Sequence, residues 1–309
     1  MDKVADDLKQ SRNSLSDGSI KTYKSILSTL YKKMNDKNSI EEKDDLQDFF
    51  YKNPKDTLKF LSDLSPSKRK TTLSALVVLC FSNDKAKDIY REQLIEDSDK
   101  HKEDQKENGN DMTDKQKENW VDWKDVVNIH NQLGKEINPL FSKPNQTSSD
   151  FMKLQDYIIL SLYVLQDPRR SLDYVSMRIK NIDKKDTVEN YIDGKNFVFN
   201  NYKTKSLYGQ QKIPISTKLK TLLNKWVKIN PTEYLLVSPT TGKPLNTVQL
   251  NQRLNKIFGK KVGSNMLRHS YLTSLYDIEK MNKISHNMAH SVNMQMDTYV
   301  KNRPETREK

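Results

Sequence analysis

The chain has one cysteine, Cys80, among 309 residues, which leaves no partner for an intramolecular disulfide. We therefore expect a reducing, intracellular compartment. Long apolar runs are also missing, since no stretch approaches the roughly eighteen residues that span a bilayer. The opening residues, MDKVADDLKQSRNS, lack the apolar segment of a secretory signal peptide. The sequence thus predicts neither a disulfide-stabilised secreted protein nor a membrane protein.

Acidic residues are fewer than basic ones, and the formal net charge is +12. Charged residues make up 30% of the chain and hydrophobic residues 34%, which is enough apolar material to fold. A basic balance suits a polyanionic partner, because each Lys or Arg beside a phosphate displaces a condensed counterion. A lysine-rich chain with solvated surfaces gives the same totals, so charge alone leaves nucleic-acid binding open.

The length suits two domains, and composition indicates where they divide. Residues 1–95 read as short amphipathic helices. Residues 96–118 are almost purely polar and charged, and we interpret them as a linker. Residues 119–309 form the second region. One helical stripe of the first region contains Tyr23, Ile26, Leu27, Leu30 and Tyr31.

The first region contains a basic helix start in SPSKRKTTLSALVVLC. Ser65 suits the N-cap and Pro66 the first helical position, where its missing N–H is not needed. Lys68, Arg69 and Lys70 follow in the first turn. Such a helix start binds phosphates through free N–H groups and side chains. A solvated helix end explains the same residues.

The second region has a mixed pattern. An apolar helix is stopped by Asp167-Pro168. Asp193-Gly194 is a hairpin signal, and a third strand is predicted at QQKIPI. Later helices are predicted at 216–228, 246–258 and 264–276, with a last helical stretch to Tyr299. The predicted fold class is mainly α with a small antiparallel sheet (α+β).

Two stretches of this region place cations where a turn meets a regular element. In QDPRRSLDY, Pro168 is expected to restart a helix, so that Arg169 and Arg170 lie in its first turn. Asp173, three residues after Arg170, is expected to hold its guanidinium. In NNYKTKS, Lys203 ends a predicted strand just before a turn. Each feature alone is more typical of a solvated surface.

NMLRHSYLTSLY reads as a helix with two faces. Asn265 and Arg268, three apart, share one face. Leu267, Tyr271 and Leu275 form an apolar stripe on another.

His286 and His290 lie four residues apart, a spacing that metal sites on helices use. However, Asn287 follows His286, so the H-E-x-x-H pattern fails, and no acidic residue follows before Asp297. We expect no metal site.

In their order along the chain, these residues resemble the tyrosine recombinase (phage integrase) superfamily. NMLRHSYLTSLY is similar to its H-x-L-R-H-x-x-A-T box, and MAHSVNMQMDTY to its L-G-H-(eight residues)-Y box. PRRSLDY resembles its R-x-x-E-L box, with Asp173 in place of Glu. The chain looks most like the divergent versions in large DNA viruses, virophages and related mobile elements of protists.

The resemblance covers the whole chain and implies its organisation. Residues 1–95 would be a helical, SAM-like core-binding domain, and residues 119–309 the catalytic domain. The implied activity is cutting and rejoining double-stranded DNA through a 3′-phosphotyrosine, with no cofactor and no metal. It also implies a homotetramer on paired DNA sites. Viral or mobile-element integration would place the protein at DNA, in the host nucleus or cytoplasm.

The resemblance also implies roles for named residues. The implied catalytic residues are Arg170, Lys203, Asn265, Arg268, His290 and Tyr299. Tyr299 would attack the phosphodiester; its ordinary pKa of about 10 requires a cationic setting. Arg170 and Arg268 would bind the non-bridging oxygens with a fork that suits phosphate. His290 would hydrogen-bond the same phosphate, and Lys203 would protonate the leaving 5′ hydroxyl.

Other residues receive supporting or alternative roles. Lys205 is the alternative to Lys203 and a candidate DNA contact. Asp173 is expected to support Arg170, and His269 to support the Arg268 helix by packing. His286 is taken as incidental.

One position departs from the family pattern. Asn265 lies where the box usually has His, and an amide donates a hydrogen bond but does not shuttle a proton. A DNA-binding protein of this fold without catalysis is therefore one alternative. A type IB topoisomerase is another, although those enzymes usually have Ser-Lys-x-x before the tyrosine and this chain has QMDT. A metal-dependent hydrolase is a third, and EDTA would abolish its activity.

Overall fold

The computed structural model describes residues 3–13, 15–41, 44–108, 112–185, 187–238, 240–276 and 278–289. The chain divides into two compact units, Met1–Asp111 and Met112–Lys309. The division falls within the segment in which composition predicted a linker. Helices predominate throughout the described residues, and a three-stranded antiparallel sheet lies in the second unit. The expected combination of helices and a small antiparallel sheet is confirmed.

The secondary-structure elements among the described residues of the first unit are all helices. Its helices are α1 (Lys3–Ser11), α2 (Asp17–Met34), α3 (Leu46–Lys52), α4 (Pro54–Leu61), α5 (Pro66–Leu79) and α6 (Asp84–Asn108). The predicted stripe of α2 faces the core, where Leu27, Leu30 and Tyr31 are buried. Tyr31 packs edge-on against Phe49, with ring centroids 5.0 Å apart. Amphipathic periodicity therefore predicted this helix and its buried side.

Helix α6 extends through residues that composition assigned to a linker. It continues to Asn108, well beyond the expected start of the linker at residue 96. Glu, Lys and Gln are good helix formers even without an apolar stripe. Pairs one turn apart, Lys100–Glu96 at 2.6 Å and Lys102–Asp99 at 2.8 Å, suit a solvated helix. The absence of an apolar period therefore did not mean the absence of a helix.

In the second unit, helices precede and follow the three strands along the chain, and one short helix lies between the second and third strands. They are α7 (Asp114–Asn119), α8 (Trp123–Ile137), a 3-10 helix (Asn138–Ser142), α9 (Ser148–Val164), α10 (Ser171–Val175), α11 (Lys205–Tyr208), α12 (Thr217–Ile229), α13 (Thr247–Phe258), α14 (Ser264–Leu275) and α15 (Ile278–Asn287). The predictions for α12, α13 and α14 agree to within one residue at each end. The predicted extension to Tyr299 lies outside the described residues.

Helix α9 forms the centre of this unit. Leu154, Ile158 and Leu162 are fully buried, and α8, α12 and α13 all pack on α9. Helix α8 approaches closely at Gly134, where a Cβ would lie 2.8 Å from the Tyr157 hydroxyl. A side chain at this glycine would therefore require the Tyr157 ring or α8 itself to shift.

The sheet consists of β1 (Tyr191–Asp193), β2 (Asn196–Phe199) and β3 (Gln211–Pro214), in that order. As predicted, β1 and β2 form a hairpin at Gly194, which has a φ of 56°. Such a left-handed conformation favours glycine. Residues 200–210 form the loop that connects Phe199 at the end of β2 to its partner Gln211 at the start of β3. This loop contains Lys203.

Candidate functional site

The second unit has a cleft of about 340 Å³ beside α10, α14 and the 200–210 loop. The residues that determine its chemistry are Arg169, Arg170, Asp173, Tyr208, Gln211 and Arg268. Three arginines line it against two aspartates, Asp167 and Asp173, so its formal charge is positive. Arg170 and Arg268, which are far apart in sequence, meet here.

Arg170 enters the cleft from the residue that precedes α10. The expectation that Arg169 and Arg170 lie in a first helical turn is wrong, because α10 begins at Ser171. Arg170 is the N-cap, with extended backbone at φ −71° and ψ 151°. Its carbonyl accepts the hydrogen bond from the Asp173 N–H at 3.0 Å. The two arginine side chains therefore leave an extended segment rather than a helix face.

Arg268 enters the cleft from α14, where it is half-buried. Burial and then the positive charge of Arg170 lower the pKa of Arg268, yet an arginine stays protonated in proteins. The hydroxyls of Ser171 and Ser264, the first residues of α10 and α14, form a buried hydrogen bond of 2.8 Å. This bond fixes the starts of the helices that follow Arg170 and carry Arg268.

Asp173 lies on the inner side of the cleft and is 2% exposed. Burial raises its pKa, while the nearby charges of Arg169, Arg170 and Arg268 act in the opposite direction. Its Oδ1 atom is buried and has no hydrogen-bond partner among the described residues. A partly unsatisfied carboxylate beneath guanidinium groups attracts them and limits where they can move.

The partner of Asp173 differs from the expected one. Asp173 Oδ2 accepts a hydrogen bond from Arg169 Nε at 2.7 Å, whereas Arg170 was expected to be held. The extended backbone before α10 sends the adjacent side chains in different directions. Within the described residues, no hydrogen bond or ion pair engages the Arg170 side chain. Its guanidinium is therefore available for an anion.

Asn265 and Arg268 lie together on α14, as predicted. The Arg268 Nη1 atom donates a hydrogen bond of 3.3 Å to the Asn265 side-chain oxygen. Since that oxygen faces the arginine, the exposed amide keeps its two N–H donors for another acceptor. The hydrogen bond from Arg268 is what assigns the oxygen and the nitrogen of the Asn265 amide to their positions. This arrangement suits a group that binds an anion beside Arg268.

The lysines of the 200–210 loop border the cleft. Lys203 is exposed in the turn between Tyr202 and Thr204, both of which line the cleft. Lys203 therefore lies beyond the strand end, since β2 stops at Phe199. Lys205 begins α11, and its Nζ donates to the Thr187 carbonyl at 2.8 Å. Lys203, in contrast, has no such bond among the described residues.

One of the three histidines near the C-terminal motifs departs from its expected role. His269 is exposed on α14, so its predicted packing role is wrong. The buried side of that helix is formed by Ser264, Leu267 and Ser270, and His269 lies off that side. His286 is exposed on α15. His290 lies outside the described residues.

The predicted apolar stripe of α14 is only partly correct. Leu267 is fully buried, but Leu275 is 58% exposed, because it lies at the end of the helix beyond the core. Tyr271 is half-buried; its hydroxyl donates to Asp167 at 2.6 Å and its ring packs edge-on against Trp123. Tyr299 lies outside the described residues.

The three basic residues at the start of α5 differ in whether their side chains are exposed or engaged in an ion pair. Pro66 is the first helical residue as predicted, and Ser65 is the N-cap position but makes no side-chain capping bond. Lys68 and Lys70 are exposed. Arg69 pairs with Asp97 of α6 at 2.5 Å, and this ion pair engages it within the fold. Only the two lysines retain the predicted availability to phosphate.

Three parts of the site were missed from sequence. The Ser171–Ser264 bond joins residues far apart, and no local pattern marks it. Arg169 gave a signal, since it is adjacent to the motif arginine, but its contacts with the sheet depend on tertiary structure. Tyr208, 62% exposed beside the cleft, was also missed.

Among the described residues, no group of three or more His, Cys, Asp or Glu side chains is arranged to hold a metal, and no helix has both the length and the apolarity to cross a bilayer. A scan against models of known protein families finds no match to this chain. No curated protein matches its sequence.

Proposed function

We propose that this protein is a site-specific DNA recombinase that cuts and rejoins double-stranded DNA through a 3′-phosphotyrosine on Tyr299. The observation that carries the proposal is the meeting of Arg170 and Arg268 in one cleft beside buried Asp173. The sequence motifs placed these residues in separate boxes. Their convergence gives the two guanidinium forks that a phosphodiester needs when it is attacked.

The arginines stabilise charge on the phosphoryl group. As Tyr299 Oη bonds to phosphorus, negative charge grows on the non-bridging oxygens, and Arg170 and Arg268 donate hydrogen bonds to them. The amide of Asn265, held against Arg268, adds a neutral donor. His290 acts on the same phosphate. In this mechanism, the positive charge that stabilises the phosphoryl oxygens comes from the arginine side chains.

Proton transfer completes the cleavage step. The bond between phosphorus and the 5′ oxygen breaks, and that oxygen takes a proton from Lys203, while the tyrosine proton passes to solvent. Rejoining reverses the transfer when a 5′ hydroxyl attacks the phosphotyrosine. The exposed position of Lys203 beside the cleft supports this role over Lys205, whose Nζ is bonded to the Thr187 carbonyl.

The first test is capture of the covalent intermediate. The protein is incubated with supercoiled plasmid and a random-site duplex library in EDTA, quenched with SDS and examined for DNA-linked protein. The parent is expected to form an adduct that Tyr299→Phe abolishes and Arg170→Ala strongly reduces. Tyr208→Phe is the matched control, because Tyr208 is an exposed tyrosine that lines the same cleft. It should still form adduct.

The alternatives give different results in the same assay. DNA binding without any adduct would favour a protein of this fold that has lost catalysis, with Asn265 as the altered position. Loss of adduct in Tyr208→Phe but not Tyr299→Phe would overturn the assigned nucleophile. Relaxation of supercoils without joining of two duplexes would favour topoisomerase activity. Activity that depends on a divalent metal would favour a hydrolase.

The proposed assembly is a tetramer on paired DNA sites. Light scattering with and without a duplex that carries the recovered site measures it directly. A mass that rises to four subunits only when DNA is present is expected. A constant mass would contradict DNA-dependent assembly.

A further inference from the structure

Arg169 makes more contacts than the neighbouring Arg170. Its Nε donates to Asp173 at 2.7 Å, and its Nη1 donates to the Gln211 side chain at 2.9 Å. Its guanidinium carbon lies 4.0 Å from the centre of the Phe199 ring and 5.4 Å from that of Tyr202. The side chain is mostly buried, at 19% exposure. Such a guanidinium is fixed in place and poorly suited to capture a phosphate.

These contacts lie at the base of the Lys203 loop. Phe199 ends β2 and Gln211 begins β3, and the two are direct partners in the sheet. The loop between them is closed by Tyr202, whose hydroxyl donates to the Gly209 carbonyl at 2.7 Å. Arg169 therefore touches both strand ends and the residue before Lys203. Through Asp173, the same guanidinium is tied to α10, which follows Arg170.

The ion pair also determines which arginines remain available. Asp173 is the buried carboxylate among three arginines, and Arg169 occupies one of its oxygens. Without that partner, the carboxylate would draw the Arg170 or Arg268 guanidinium toward itself and away from a bound phosphate. Arg169 thus offsets the buried charge while leaving both other guanidinium groups free for a phosphate.

We propose that Arg169 is a positioning residue that holds the Lys203 loop in register with Arg170 and thereby sets the proton donor against the bound phosphate. The inference rests on the proposed function. It predicts that loss of Arg169 harms the step in which the leaving oxygen is protonated more than it harms phosphate binding.

The test compares two leaving groups on the DNA site recovered from the adduct. One duplex has the ordinary 5′ oxygen at the cut, and the other has sulfur in that bridging position. A thiol has a pKa of about 8.5, so a departing thiolate needs no proton donor. Arg169→Gln should slow cleavage of the oxygen duplex by about 10²-fold, the lower end of what a general acid contributes. Cleavage of the sulfur duplex should stay close to the parent rate.

Four variants calibrate the result. Lys203→Ala should show the same rescue by sulfur, whereas Arg170→Ala should be slow on both duplexes. Gln211→Met removes one accepting side chain without changing charge, and it should give a smaller effect of the same kind. Arg169→Lys keeps the charge for Asp173 but lacks the planar fork, so it should recover only part of the rate. Equal slowing of Arg169→Gln on both duplexes would overturn the proposal.

Hydrogen exchange separates this inference from the proposed function. Backbone amides of residues 200–210 should exchange faster in Arg169→Gln than in the parent, with α9 unchanged. Unchanged exchange in the loop would overturn the proposal that Arg169 holds the Lys203 loop, whether or not the protein cleaves DNA. If the parent forms no adduct while the loop still loosens, the recombinase proposal fails and the structural contact remains.

Discussion

The hydroxyls of Ser171 and Ser264 meet in a buried hydrogen bond of 2.8 Å between the starts of α10 and α14. Asn251 also holds Ser264 in place, because the Asn251 side-chain oxygen accepts a hydrogen bond of 3.0 Å from the Ser264 N–H. This connection brings together two segments that the sequence separates widely. It explains why Arg170 and Arg268 share one cleft.

Removing one of these hydroxyls should destabilise the second unit. Ser264→Ala leaves the buried Ser171 hydroxyl without its partner, which costs about 1–3 kcal/mol. The double variant Ser171→Ala/Ser264→Ala removes both groups and should lose less than the sum of the single changes. Urea unfolding followed by tryptophan fluorescence measures this, because all three tryptophans, Trp120, Trp123 and Trp226, lie in the second unit. Strictly additive losses would contradict the coupling.

Replacing a cleft arginine by lysine should impair cleavage even though the charge is kept. Arg268→Lys loses the planar fork that binds two oxygens, and we expect adduct to form about 10²-fold more slowly. Single-turnover adduct formation in EDTA gives the rate. Lys228→Ala, an exposed residue of α12 that does not line the cleft, should react at the parent rate. A lysine variant with parental activity would rule out the fork geometry as the important property.

The lysines and the arginine at the start of α5 should differ in their effect on DNA binding. Lys68→Ala and Lys70→Ala should each reduce the slope of log affinity against log salt by about one if each lysine contacts a phosphate. Arg69→Ala should leave the slope unchanged, since Arg69 is paired with Asp97. Instead, it should lower the stability of the first unit. Titrations of a labelled duplex at several salt concentrations measure the slopes, and equal slope changes for all three variants would contradict this division.

Mild acid should destabilise the second unit through His130. Burial lowers the pKa of this imidazole, whose Nε2 is bonded to the Ser161 hydroxyl at 2.9 Å. As pH falls below about 6.5, the unfolded chain takes up a proton that the folded imidazole does not, so the free energy of unfolding decreases. The free energy of unfolding continues to decrease until the pH reaches the lowered pKa of His130 in the folded protein.

Urea unfolding at pH 7.5 and pH 5.5 measures this dependence. His130→Gln should reduce the difference between the two pH values, whereas the matched control His269→Gln, on an exposed histidine, should retain it. The same pH dependence in the parent and in His130→Gln would assign the effect to other groups.

Local sequence predicted much of the fold because its signals act over a few residues. The buried stripe of α2 follows from helical periodicity, and the hairpin at Gly194 from a turn residue that tolerates positive φ. The same reasoning failed at α6, where charged helix formers extend a helix through a segment without apolar periodicity. The division between the two units falls within that segment, but composition did not predict the helical structure of the chain there.

The sequence by itself determined the kinds of groups available to the site: arginines in two separate segments, lysines in a hairpin loop, and an asparagine where the family that the sequence resembles usually has a histidine. Their order along the chain was enough to indicate a chemistry. Tertiary structure alone decided how they are used, because ion pairing and burial depend on distances between remote segments. It gave Asp173 to Arg169 rather than Arg170, engaged Arg69 with Asp97, and left His269 exposed.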